Sequence, residues 1–108
     1  MIGLAPYPNR DELVAAVRIV FGADADVATD TIDRIDLSRW KESRERVQMA
    51  VLALSEGTLE KLREFADEAN RDYRNVLNWS ENTRPGLERR IALERRLADS
   101  DQSPWKRA

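Results

Sequence analysis

The densest group of side chains able to do chemistry lies in ADEANRDYRNVLNWSE, residues 66–81, where Asp67, Glu68 and Asp72 place three carboxylates within about two turns of helix and Tyr73 adds a phenol. Two carboxylates work as general acid and general base when their surroundings push their pKa values apart. The spacing here favours a plainer use. Asp67 stands four residues before Arg71 and Glu68 three before it, the separations at which ion pairs form on a helix surface. The cluster therefore reads as the wet face of an amphipathic helix, and no catalytic residue is assigned from it.

Other routes to chemistry are closed by composition. The chain has no cysteine and no histidine, which removes thiol nucleophiles, thiolate metal sites, disulfides, the commonest metal ligand and the usual base near neutral pH. The acidic stretch ADADVATDTIDRID, residues 23–36, invites comparison with a calcium loop starting at Asp24. The comparison fails: Ala28 and Thr29 stand at the fifth and sixth positions, where a ligand and a glycine are needed, and Ile35 stands where the bidentate Glu belongs. No phosphate-cradling loop or nucleophile elbow is present. An enzyme is the least favoured class, and no metal or cofactor is expected.

Charge narrows the binding classes. Twenty acids against 18 bases leave a net charge of −2, too small a field to draw the chain to nucleic acid or an anionic membrane. The turn at Gly57 has the outline of a DNA-reading helix-turn-helix. The helix that would enter the groove, however, begins LEKLREFADEAN, with Glu60, Glu64, Asp67 and Glu68 against Lys61 and Arg63. Such a surface repels phosphate, on which DNA affinity largely rests. Basic residues gather instead at the C-terminal end, where residues 84–108 hold seven bases and four acids, whereas residues 1–36 hold three bases and seven acids. Arg89, Arg90, Arg95 and Arg96 are the candidate nucleic-acid contacts, but as two pairs six residues apart they make no single stripe, and Glu88 and Glu94 lie among them. Nucleic acid is disfavoured as a partner and kept as the alternative.

A membrane is not expected as a partner. No stretch approaches the roughly 20 apolar residues of a span, and the arginine-rich helix lacks the Phe or Trp that an interfacial helix inserts. The N-terminus MIGLAPYPNRDEL has no basic start followed by an apolar core, so the chain reads as cytoplasmic.

The elements that position these residues follow from periodicity and capping. In NRDELVAAVRIVFG, Asn9 and Glu12 form a capping box, Leu13, Val17, Val20 and Phe21 make one apolar stripe, and Gly22 is the stop. Residues 23–36 read as a loop with at most one short helical turn. A second helix is expected over residues 38–55, capped by Asp36 or Ser38, and its last two turns are apolar nearly all round, the mark of a helix covered from several sides. Gly57 and Thr58 make a tight junction into a third helix, residues 59–80, so the two helices run antiparallel. On it Tyr73 shares a core stripe with Leu62, Ala66, Ala69, Val76 and Leu77, whereas Trp79 falls off that stripe and needs a further neighbour. After a break at residues 82–84, Pro85 opens a fourth helix to residue 98, whose apolar stripe of Leu87, Ile91, Leu97 and Ala98 is thin.

Three phrases between Arg44 and Glu81, RVQMAVLALSEG, LEKLREFADEA and RDYRNVLNW, resemble a family of small bacterial all-helical proteins of uncharacterised activity. The resemblance covers about a third of the chain. It implies a helical hairpin as the shared unit and carries over no activity, cofactor or binding residue.

The reading is an all-α protein: one domain over residues 1–98, a small bundle of three to four helices built on a central antiparallel hairpin (residues 38–81), with the arginine-rich helix (residues 85–98) docked or extended and residues 99–108 a flexible tail. The expected function is a non-enzymatic interaction or structural module that pairs with a second copy or another protein. Trp79, Met49, Leu52, Leu87 and Ile91 are the candidate interaction surface.

Overall fold

The computed structural model describes residues 9–37 and 44–99, and the chain is an all-α bundle. Its helices are α1 (Arg10–Phe21), α2 (Ala25–Asp33), α3 (Arg44–Ser55), α4 (Leu59–Asn82) and α5 (Arg84–Asp99), with one 3-10 turn at Gly22–Asp24. Residues 38–43, where the second helix was expected to begin and where Trp40 lies, fall outside the described residues, as do residues 100–108.

α1 starts as its sequence dictates. The Asn9 side chain accepts from the Glu12 N–H at 2.8 Å, and the Glu12 carboxylate accepts from the Asn9 N–H at 3.0 Å. The expected stripe is buried through Leu13, Val17 and Phe21, joined by Ala16, with Val20 half-buried. The acidic segment expected as a loop is instead the nine-residue helix α2. Its stripe of Ala25, Ala28, Thr31 and Ile32 is built mostly from small side chains, so hydropathy understates it. It exists because α1 and α4 lie against it, and tertiary burial is what stabilises a short helix. Arg10 and Asp33 tie the start of α1 to the end of α2 through two hydrogen bonds, at 2.5 and 2.8 Å.

α3 and α4 form the hairpin. Between them Glu56 and Gly57 both take left-handed backbone, φ 53° and φ 80°. The Ser55 hydroxyl accepts from the Gly57 N–H, and the Thr58 hydroxyl accepts from the Lys61 N–H to cap α4. The Arg46 guanidinium grips the Glu81 carboxylate through Nε at 3.0 Å and Nη2 at 2.6 Å, which ties the start of α3 to the far end of α4. Every residue from Val47 to Ser55 is buried. One of them is polar and unsatisfied: Gln48 Nε2 donates to the Ile32 carbonyl at 3.2 Å, while Oε1 is buried with no partner.

α4 is not one straight helix. Asp72 sits at φ −158°, ψ 98° inside it, and its carboxylate accepts from the Arg74 N–H at 3.1 Å and from Arg74 Nε at 2.9 Å. Extended backbone with a side-chain oxygen on the N–H two residues ahead is N-cap geometry, so the second half of α4 restarts at Asp72. These hydrogen bonds from Arg74 hold the Asp72 carboxyl below its ordinary pKa. The stripe of Leu62, Ala66, Ala69, Val76 and Leu77 is buried across the break, and Tyr73 is half-buried against the core.

Thr83 alone separates α4 from α5. Its hydroxyl donates to the Trp79 carbonyl at 2.5 Å and accepts from the Gly86 N–H at 3.1 Å, so one side chain closes α4 and caps α5. Pro85 falls in the first turn of α5, where its missing N–H costs nothing. Gly86 lies flat against α4: a Cβ there would stand 1.6 Å from the Trp79 carbonyl oxygen. α5 consequently buries Gly86, Leu93 and Leu97. The sequence stripe is corrected here, since Leu87 and Ile91 face water while Leu97 is inside.

Two substitutions test this packing. In an exposed helix Gly→Ala stabilises by about 1 kcal/mol; Gly86→Ala is expected to do the opposite and destabilise by about 2 kcal/mol or more, because neither backbone can give way. Gln48→Met keeps the volume and removes the orphaned acceptor. Urea unfolding is expected to show it as stable as the parent or more stable by about 1 kcal/mol.

Candidate interaction surface

The candidate surface is built on the α4–α5 junction. Trp79 projects from the restarted half of α4 and is 38% exposed. Its ring meets Phe65 edge to face, with centroids 5.9 Å apart and planes at 71°, a favoured aromatic geometry worth about 0.5–1.5 kcal/mol beyond area burial. Within the chain Trp79 is covered only in part. Phe65 covers one edge, and Trp79, Pro85, Gly86 and Leu54 line an apolar cleft of about 370 Å³ at the start of α5.

The other members of the candidate surface separate. Met49 and Leu52 are 5% and 1% exposed and do not belong to any surface: the apolar back of α3 that seemed to call for a partner chain is covered by α1, α4 and α5 of the same chain. Leu87 and Ile91 are 41% and 47% exposed, one turn apart on α5. Val27, 46% exposed on α2, lies in the acidic segment whose weak hydropathy reads as a loop.

The four arginines do not converge. At about 100° per residue, Arg89, Arg90, Arg95 and Arg96 spread over roughly 220° of the α5 circumference. Arg96 Nη2 donates to the Ile19 and Val20 carbonyls at 3.1 and 3.4 Å, so it completes the C-terminal turn of α1 and its charge lies at the negative end of that helix. Arg89 Nη2 stands 3.1 Å from Glu56 Oε1, which also takes Lys61 Nζ at 2.9 Å. Both arginines border a second cleft of about 250 Å³, floored by Leu52, Ala53 and Leu93. Two of the four cations thus tie α5 to the body of the protein, Arg90 is half-buried, and Arg95 is exposed.

Two of the three clustered carboxylates of α4 are likewise engaged, and Arg71 takes Glu68 rather than Asp67. Glu68 accepts from Arg71 and Asn75, and Asp72 pairs with Arg74. Asn70 holds the segment before α3, accepting from the Asp36 N–H at 2.7 Å and donating to the Arg34 carbonyl at 3.1 Å. Among the described residues no group of His, Cys, Asp or Glu is arranged to hold a metal ion, and no helix is long and apolar enough to cross a membrane. Comparison with known proteins found no matching family model, no matching curated protein and no matching solved structure.

The Lys61 hydrogen bond and the Arg89 charge hold the Glu56 carboxyl below its ordinary value of 4.5. A lowered folded-state pKa contributes stability that is fully present above the unfolded value and is lost as pH falls through the folded one. The Tm difference between the parent and Glu56→Gln is therefore expected to be constant above about pH 5 and to close in more acidic buffer. Calorimetry across that range checks it.

Proposed function

We propose that this chain is a non-enzymatic interaction module that associates with a second copy of itself through the outward side of its C-terminal helices. One observation carries the reading: of the four exposed large apolar side chains among the described residues, three, Trp79, Leu87 and Ile91, fall on the end of α4 and on α5. Scattered exposed apolar residues are ordinary on any protein. A concentration of them at the end of α4 and along α5, whose buried stripe is short, is the pattern that a further partner covers. The charges fit an interaction role as well, since Glu68 and Asp72, two of the three clustered carboxylates, are taken up by Arg71, Asn75 and Arg74. The reading takes a cytoplasmic setting.

The arginine-rich helix as a nucleic-acid surface draws less support, because Arg89 and Arg96 are spent on Glu56 and on the end of α1. Sedimentation of the full chain over a wide concentration range is the test. The expected result is a reversible rise from monomer toward dimer mass, weakened by Ile91→Ser at unchanged helicity. A strictly monomeric chain over the whole range overturns the reading. So does salt-sensitive binding of mixed-sequence DNA or RNA that Arg95→Ala abolishes, which would transfer the function to the arginines.

A further inference from the structure

The outward line of α5 carries an ordered charge pattern. With Gly86, Leu93 and Leu97 buried, the opposite face, at about 100° per residue, presents Arg84, Glu88, Ile91, Ala92, Arg95 and Asp99. All six are exposed. Read toward the C-terminus the charges run plus, minus, then Ile91 and Ala92, then plus, minus. Reversed, the order is minus, plus, Ala92, Ile91, minus, plus. The face is therefore its own electrostatic complement when run antiparallel. Parallel pairing would set like against like.

We infer that the outward face of α5 pairs with the same face of a second copy in antiparallel orientation, about a twofold axis between Ile91 and Ala92. This rests on the self-association proposed above and names its surface and register. Glu88 comes level with Arg95 of the second copy and Arg84 with Asp99 of the second copy, and the twofold makes each pair occur twice. Ile91 and Ala92 flank the axis on opposite sides, so each lies beside its own counterpart in the second copy. Leu87, about 90° round from the middle of this face, lies at the edge of the contact.

The charges are available for exchange. Within one chain Arg84 pairs with Glu88 at 3.3 Å, but the two side chains are 91% and 67% exposed, and such a pair holds weakly. The contact is small: 16 residues of helix are about 24 Å long, which puts the pairing in the class of weak, transient interfaces. It is an association of micromolar or weaker affinity that high salt weakens.

Charge reversal in the full-length chain tests the register, with sedimentation equilibrium as the readout and circular dichroism as the folding control. Glu88→Arg and Arg95→Glu are each expected to raise the dimer dissociation constant at least about tenfold, because each sets like charges together twice. The double variant Glu88→Arg/Arg95→Glu is expected to recover most of the parent affinity. A parent dimer that neither single reversal weakens overturns this interface while leaving self-association intact and pointing to the Trp79 cleft. Single reversals that weaken the dimer without recovery in the double variant overturn the pairing of Glu88 with Arg95. A parent chain that never dimerises overturns both this inference and the proposed function.

Discussion

Nine consecutive residues of α3, Val47 to Ser55, are out of water, and a helix cannot reach that state with one neighbour. A single packed partner covers one stripe; complete burial needs helices on several sides. α4 covers one side through the tight turn at Glu56 and Gly57, α5 another, and α1 and α2 the rest. Most of the remaining architecture follows from this demand. The chain turns back on itself through short connections, and the two clefts beside Arg89 lie where the covering helices meet.

Covering α3 also dictates how α5 must sit. Gly86 allows the start of α5 to lie against the carbonyl of Trp79, and Thr83 holds that junction from both directions. Farther along, Arg89 reaches Glu56 beside the hairpin turn and Arg96 reaches the last carbonyls of α1. A helix held at its start by backbone contact and along its length by two guanidiniums has a defined rotation. That rotation puts Leu93 and Leu97 inside and leaves Leu87, Ile91 and the alternating charges outside. The surface assigned to interaction is thus a by-product of how the core is closed.

Much of this could be read from the chain alone, and the exceptions have identifiable causes. The capping box of α1, the turn at Gly57, the stripe of α4 and the central place of α3 all rest on local signals: a side-chain cap, a left-handed glycine, a 3.6-residue period. α2 was missed because its buried face is made of alanines and a threonine, which carry little hydropathy. The break at Asp72 was missed because an aspartate that caps a helix and one that decorates it are the same letter. Met49 and Leu52 read as surface only when too few helices are counted to cover α3. The unrecognised α2 and the docked α5 supply that cover.

Local chemistry decided that this is an all-helical chain, where most of its helices begin and end, and that Glu68 pairs with Arg71. It could not decide the rotation of α5. Two alternative stripes on that helix, one through Leu87 and Ile91 and one through Leu93, share Leu97 near their margins and differ little in hydrophobicity. What separates them is a close approach: only with Gly86 turned inward can the backbone of α5 meet that of α4. A glycine contributes nothing to an apolar stripe, so its weight is felt only once two helices are pressed together.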